Sequence, residues 1–173
     1  MKLTTSTILL VAALSVAGCT GANRFGDAGG AGGAGATAGV FDPALGDPTD
    51  PTSLAYFQQT VGDRVLFEVD QSTLTPAGQA VLDGQAIWMA ANPDFSAVIE
   101  GHADEQGTRE YNLALGERRA NAVQAYLISQ GVAGSRLTTV TYGKERPLEI
   151  CSNESCYAQN RRAVTVLAAG AGV

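Results

Sequence analysis

Residues 101–123 read GHADEQGTREYNLALGERRANAV, and this stretch decides how the chain around it is organised. Its first seven residues are mostly polar or glycine and predict a turn. Thr108 follows as a suitable helix cap, because its hydroxyl can accept a hydrogen bond from the first helical turn. Helical spacing continues until Gly131, a residue type that commonly lies just beyond a helix end. The stretch therefore predicts a turn followed by a long helix over about 109–130.

The segments on either side predict a sheet. A shorter helix is expected after the first strand, with Thr75 as its cap and Pro76 at its first position, and it must stop before Pro93. The order strand–helix–strand–helix–strand–loop–strand predicts an α/β (α+β) sandwich, in which one mixed four-stranded sheet is packed by helices. The predicted strands, from their composition and apolar pattern, are 64–70, 95–101, 136–143 and 161–168.

One face of the long helix carries an unexpected charge. Asn112, Leu115 and Arg119 are spaced three and four residues apart, so they share a face that is otherwise largely apolar. A guanidinium there needs a partner, because an unpaired buried charge is costly. Asp104, in the preceding turn, is the nearest candidate. Arg118 is predicted to face water instead.

Two interpretations of Asp104 and Arg119 remain open from the residues. In the first, the two side chains form a salt bridge that only stabilises the fold. In the second, they hold a zwitterion: Asp104 holds an ammonium group, while Arg119 and the helix N-terminus hold a carboxylate. A ligand with both groups on one carbon, such as the end of an amino acid, fits the second interpretation.

The first 18 residues have the features of a bacterial export signal. Lys2 precedes an apolar run that is too short to cross a bilayer, for which about 20 residues are needed. The run ends in VAGC at residues 16–19, which resembles a lipobox and predicts that Cys19 is lipid-modified. By the same resemblance, the non-acidic Thr20 favours the outer membrane, with the domain facing the periplasm. The alternative is a plain signal peptide with an incidental cysteine.

Residues 19–53 are rich in Gly, Ala, Asp, Pro and Thr and contain the run AGGAGGAGATAG. Such a composition buries too little apolar surface to offset the entropy cost of ordering. We therefore predict a lipid-anchored flexible tether over 19–53 and a folded domain over 54–173. A coil of about 35 residues spans roughly 30–35 Å.

Charge and length limit the classes of partner. The chain has 173 residues and a formal net charge of −6. This length fits one domain of ordinary size with tails. An acidic chain without a basic patch argues against nucleic acid as a partner and against electrostatic attachment to anionic lipid headgroups.

With Cys19 assigned to lipidation, Cys151 and Cys156 remain as a pair. In the oxidising compartment that an export signal implies, a disulfide is favoured. It would close a short loop and stabilise the fold by about 2 kcal/mol. A metal-binding cysteine pair is the alternative, which is weakened because the only histidine, His102, lies far away in sequence.

Residues 101–123 resemble the OmpA-like peptidoglycan-binding domain family, whose pattern is approximately GH(T/A)DxxGxxxxNxxLxxxRAxxV. The segments TYGKERP at 141–147 and QNRRAV at 159–164 also resemble lipoprotein members of that family. The resemblance covers about 62–168. The matching positions here are GHADEQG at 101–107, then Asn112, Leu115, Arg119, Ala120 and Val123.

This resemblance implies non-covalent binding of the diaminopimelate of the peptidoglycan stem peptide. Asp104 and Arg119 match the residues that grip its charged end, and Leu115 matches an apolar wall. Val69 stands where the family often has phenylalanine. The resemblance also implies that the protein ties the outer membrane to the cell wall and binds the protein TolB. The ligand residues that it implies are Asp104, Arg119, Leu115, Asp70, Val69 and Asn112.

Other functions are less consistent with the residues. A hydrolase could use His102 with Asp104 or Glu105, or the carboxylates of Glu100 and Asp104, but a zinc site usually takes three or more protein ligands. A flagellar stator anchor would need a transmembrane helix, which the sequence does not predict. A wall-binding lipoprotein without TolB as its partner remains an alternative. We predict no catalytic residue, metal or cofactor, and expect His102 to order the turn through hydrogen bonds.

Overall fold

The computed structural model describes residues 44–169. Three predictions lie outside the described residues and stay predictions. They are the export signal, the lipidation of Cys19 and the part of the tether before residue 44. Residues 44–53, which the sequence also assigns to the tether, form turns that contact the domain. One such contact is a hydrogen bond of 2.7 Å from Trp88 Nε1 to the Pro51 carbonyl.

The described residues form strands and the helices that connect them. No helix in this part of the chain is long and apolar enough to cross a membrane. In chain order, the elements are α1 (Leu54–Tyr56), a π-helical segment (Phe57–Gly62), β1 (Arg64–Leu66), α2 (Pro76–Ala91), β2 (Phe95–His102), α3 (Arg109–Ser129), a 3₁₀ turn (Gly134–Arg136), β3 (Leu137–Gly143), α4 (Glu154–Asn160) and β4 (Arg162–Ala169).

The strands form one sheet in the order β1-β4-β2-β3. β2 and β3 are parallel, whereas β4 is antiparallel to both of its neighbours. Ile99 of β2 lies opposite Thr139 of β3 and Thr165 of β4. The predicted mixed four-stranded sheet packed by helices is confirmed.

Both predicted helices begin at their predicted caps. The Thr75 side chain accepts a hydrogen bond from Gly78 N (3.0 Å), and Pro76 occupies the first helical position of α2. The Thr108 hydroxyl accepts one from Tyr111 N (3.2 Å) at the start of α3. These caps satisfy N–H groups that have no partner within the helix, which explains why local sequence sets both boundaries.

The apolar core lies between the sheet and the helices α2 and α3. α3 packs closely on β2, because a side chain at Gly101 would overlap the backbone carbonyl of Gly116. This approach places the turn that follows β2 beside the N-terminal half of α3. Phe67, which directly follows β1, also belongs to this core. The buried core residues from the sheet and the two helices are Val65, Leu82, Ala86, Trp88, Met89, Ala97, Ile99, Ala120, Val123, Leu127, Leu137 and Ala163.

The predicted extent of the first strand is wrong. The alternating pattern predicts a strand over 64–70, but β1 ends at Leu66. Asp70 has a φ of 59°, a left-handed conformation that is uncommon outside glycine, so the chain turns away from the sheet. In a strand over 64–70, Val69 would share a face with the buried Phe67, but it is 54% exposed.

The connection between β3 and β4, predicted as a loop, contains the short helix α4. The Asn153 side chain caps this helix by accepting a hydrogen bond from Cys156 N (3.3 Å). Cys151 and Cys156 form a disulfide, with their Cα atoms 5.9 Å apart. The predicted disulfide is therefore confirmed, and the alternative of a metal-binding cysteine pair is wrong.

Candidate ligand-binding pocket

A pocket of about 270 Å³ lies where three segments meet: the loop after β1, the turn after β2 and the first turns of α3. It brings together five of the six predicted ligand residues. The sixth, Arg119, is fully buried and does not line it. The lining residues are Val69, Asp70, Asp104, Gln106, Gly107, Tyr111, Asn112 and Leu115.

The start of α3 supplies one side of the pocket. Asn112 and Leu115 lie three residues apart, so both point from the same face of the helix, and both are buried. The Asn112 amide donates a hydrogen bond of 2.8 Å to the Gln106 carbonyl. Gly107 has a φ of 92°, which lets the chain reverse between that carbonyl and the helix. The turn is thereby fixed against the helix that follows it.

Arg119 connects two walls of the pocket. Its guanidinium donates hydrogen bonds to the carbonyls of Gln71 (2.8 Å) and Glu68 (3.2 Å) in the loop after β1. A third bond reaches the His102 carbonyl (2.8 Å) at the end of β2. Burial lowers the pKa of Arg119 to about 10 and the Arg161 charge acts in the same direction, while the Asp104 carboxylate opposes the shift. Arg119 therefore stays charged at neutral pH and holds the two segments together.

The direct partner of Asp104 is Arg161, not Arg119. Asp104 Oδ2 accepts a hydrogen bond from Arg161 Nη1 at 3.2 Å, and Oδ1 accepts one from Gln106 N at 3.2 Å. Within residues 44–169, Arg119 makes no salt bridge. The interpretation in which Asp104 and Arg119 form a salt bridge is therefore wrong.

Arg161 was not among the residues that the sequence predicted for this site. It lies between α4 and β4, 57 residues from Asp104, and also donates to the Phe67 carbonyl (3.2 Å). The QNRRAV segment could have indicated this residue, because two arginines stand there at the start of a predicted strand, where an unpaired buried charge would be costly.

Tyr111 and Asp70 face each other across the pocket mouth. The Tyr111 hydroxyl donates a hydrogen bond to Asp70 Oδ1, which raises the pKa of Tyr111. The left-handed backbone of Asp70 directs its carboxylate to this position. Tyr111 was not predicted for this site, although its place in the first turn of α3, one residue before Asn112, puts it beside the turn.

The interpretation of Arg118 and Arg119 as unlike neighbours is confirmed. Arg118 is exposed, with its guanidinium carbon 5.9 Å from the centre of the Tyr111 ring. Arg119 is buried, with its guanidinium carbon 5.1 Å from the centre of the Phe67 ring.

His102 is buried and does not line the pocket. Neither ring nitrogen has a hydrogen-bond partner within the described residues, and the nearest carboxylate oxygen, on Glu100, is 3.6 Å from Nε2. The hydrogen bond that ties His102 to its surroundings is made by its backbone carbonyl, which accepts from Arg119 Nη1 at 2.8 Å. Burial lowers the pKa of His102 to about 4, and the charges of Arg162 and Arg146 act in the same direction. The imidazole is neutral at pH 7.

The pocket combines two carboxylates with an apolar wall and nearby buried cations. Asp70 and Asp104 supply the negative charges, and Leu115 supplies apolar surface. In residues 44–169, no group of three or more His, Cys, Asp or Glu side chains is placed to hold a metal ion. The arrangement suits recognition of a ligand with opposite charges close together.

The family model described as the OmpA family matches residues 66–161. The peptidoglycan-associated lipoprotein of Rhizobium meliloti (strain 1021) is 49% identical over 166 residues, which cover 95% of this chain and 88% of that protein. The protein of the same name from Mesorhizobium japonicum is 47% identical over 165 residues, covering 95% of this chain and 92% of that protein.

Solved structures share the fold. The crystal structure of the peptidoglycan-associated lipoprotein from Burkholderia pseudomallei aligns with a TM-score of 0.63 and 38% identity, over 73% of this chain and all of that one. The C-terminal domain of Helicobacter pylori MotB aligns with a TM-score of 0.59 over 63% of this chain and 86% of that one. At 19% identity, the second likeness shows the fold alone.

Proposed function

This chain belongs to the OmpA family, and we propose that its pocket binds peptidoglycan without a covalent bond, through the diaminopimelate of the stem peptide. The observation that carries the proposal is the convergence of Asp104, Asp70 and Leu115 on one pocket. The names of the relatives, which are peptidoglycan-associated lipoproteins, support the same class of ligand.

The ammonium of diaminopimelate would bind Asp104. A carboxylate can accept about four hydrogen bonds, and within the described residues Asp104 accepts two, from Arg161 and Gln106. The remaining acceptor capacity is available to a ligand in the pocket. Asp70 adds a second negative charge at the mouth.

The carboxylate of the same ligand would lie toward the N-terminus of α3. Unpaired N–H groups and the helix dipole favour an anion there. Arg119 adds a full positive charge in a buried setting, where charges are screened weakly. Leu115 and Val69 would contact the methylene chain between the charged ends, and Asn112 would keep the turn in place.

The proposed role is binding and not catalysis. His102 and Glu100, the candidates for acid–base chemistry, do not line the pocket. Asp104 forms an ion pair with Arg161, which suits a role in binding a charged group.

We further propose that the protein is lipid-anchored at Cys19 in the outer membrane, with its domain in the periplasm, and that it ties this membrane to the wall. The relatives that support this are called lipoproteins and match 95% of this chain. By the family resemblance, TolB of the Tol–Pal system would be its protein partner, with a role in envelope integrity and cell division.

Sedimentation with purified peptidoglycan sacculi tests the pocket. Replacing Asp104 by Asn removes the charge but keeps the shape, and should weaken binding about 10- to 100-fold, as expected for loss of a hydrogen bond between charged groups. Asp83→Asn is the matched control, because Asp83 lines a different surface beside α2. Sacculi with amidated diaminopimelate should also bind weakly to the wild-type chain. Equal sedimentation of Asp104→Asn and wild type would contradict the proposal.

Capture of TolB is a separate test. A chain that sediments with sacculi but captures no TolB would be a wall-binding lipoprotein outside the Tol–Pal system. A chain that captures TolB but no sacculi would refute the assignment of the pocket.

A further inference from the structure

The turn that carries Asp104 is held by residues 144–161, which do not line the pocket. We call residues 144–161 the disulfide segment. The exposed Glu105, next to Asp104, makes two side-chain contacts with it: Glu105 Oε1 accepts hydrogen bonds from Ser152 Oγ (3.0 Å) and from the Tyr157 hydroxyl (2.9 Å). Glu105 therefore links the turn to the disulfide segment, and it does not line the pocket.

Two cations of the disulfide segment hold the same turn. Lys144 Nζ donates hydrogen bonds to the carbonyls of Gly107 (2.7 Å) and Glu105 (3.3 Å). Arg161 binds Asp104 itself and is in turn held by Glu154, the first residue of α4. Contacts from both ends of the segment thus converge on residues 104–107.

The disulfide lies within this segment, next to the residues that contact Glu105. Ser152 lies inside the loop that Cys151 and Cys156 close, and Tyr157 directly follows it. α4 has only seven residues, too few for a helix that is stable by itself. Its end is tied to the start of the segment, since the Asn160 side chain accepts hydrogen bonds from the backbone of residues 148 and 149. The disulfide ties the beginning of α4 in the same way.

We propose that Glu105, Tyr157 and the Cys151–Cys156 disulfide are positioning residues for the peptidoglycan site, which hold the turn so that Asp104 faces the pocket. This inference rests on the proposed function. It assigns the disulfide a role in ligand affinity, in addition to any stabilisation of the fold. Whether the turn is held in place can be measured without any binding to peptidoglycan.

Amide hydrogen exchange measures the positioning directly. Tyr157→Phe removes one hydroxyl, and Cys151→Ser combined with Cys156→Ser removes the disulfide. Both variants should exchange faster at residues 103–107, with unchanged exchange in the centre of β2. Tyr126→Phe is the matched control, because it removes an equivalent hydrogen bond to a carboxylate elsewhere, from Tyr126 to Asp83 (2.8 Å). Unchanged exchange of the turn in Tyr157→Phe would overturn the inference, even if the double variant did not fold.

Sedimentation with sacculi measures the consequence. Tyr157→Phe should bind about fivefold more weakly than wild type, as expected for one hydrogen bond, while Tyr126→Phe should bind equally well. Faster exchange without weaker binding would overturn the link between the segment and the ligand. Failure of the wild-type chain to sediment would refute the proposed function instead, and the exchange result would still decide whether the disulfide segment positions the turn.

Discussion

The single histidine of the chain should make the fold sensitive to mild acid. His102 is buried and neutral, with a pKa lowered to about 4 by burial and by the charges of Arg162 and Arg146. In the unfolded chain, its pKa should be near the ordinary value of 6.5. The unfolded state therefore takes up a proton first as the pH falls, so acid favours unfolding.

The size of this effect follows from the two pKa values. The contribution of His102 to stability is fully present above pH 6.5 and is lost as the pH falls toward 4. Between pH 7.5 and pH 5, we expect the free energy of unfolding to fall by about 2 kcal/mol through this residue alone. At pH 4 the loss approaches about 3 kcal/mol.

Two measurements check the prediction. Since the chain has one histidine, an NMR titration of the chain without an affinity tag shows one imidazole, whose pKa should lie far below 6.5. Urea unfolding at pH 7.5 and pH 5 should show a larger loss of stability in wild type than in His102→Gln, which cannot take up the proton. Titration of His102 near 6.5, together with parallel losses in the two proteins, would refute the reasoning.

Two further predictions concern the packing around the pocket. Gly101→Ala should lower the free energy of unfolding by more than about 3 kcal/mol, because the added methyl group overlaps the Gly116 carbonyl. Gly84→Ala is the control, because this helical position has room for a methyl group. It should be neutral or stabilise the fold by up to about 1 kcal/mol. Urea unfolding of the two variants would contradict this if their stabilities were equal. Arg119→Met should lower the free energy of unfolding by about 3 kcal/mol, because three carbonyls lose a charged donor at about 2 kcal/mol each and relief of the buried charge offsets part of this loss. Arg118 is exposed, so Arg118→Met should change the free energy of unfolding by less than about 0.5 kcal/mol. If calorimetry showed the same loss of stability in Arg118→Met and Arg119→Met, the buried guanidinium would not hold the two walls together.

Local sequence patterns predicted the elements that depend on neighbouring residues. The caps Thr75 and Thr108 set the starts of α2 and α3, because a cap acts within one helical turn. The spacing of Asn112, Leu115 and Arg119 predicted a shared buried face, which the structure confirms. Helical periodicity is a local property, so no tertiary information was needed for these features.

The end of the first strand could not be predicted in this way. The alternation of residues 64–70 is typical of a strand, and no single residue in it forbids one. The left-handed turn at Asp70 has one local hydrogen bond, from Gln71 N to the Glu68 carbonyl (3.1 Å), and Arg119, far away in the chain, holds the carbonyls of both residues. Tertiary hydrogen bonds therefore overrode the local preference for strand.

By itself, the sequence determined helices α2 and α3, the order of the strands along the chain and the cysteine pair, because periodicity, capping and residue spacing are properties of the chain. Val69 and Asp70 were expected in the pocket through the family resemblance. Only the tertiary structure decided which charges pair. Asp104 lies fifteen residues before Arg119 but binds Arg161, which comes 57 residues later, because β4 lies next to β2 in the sheet. Arg119 finds its partners in backbone carbonyls, which no side-chain pattern records. Ion pairs between distant residues follow from strand order, and strand order is fixed by the packing of the whole domain.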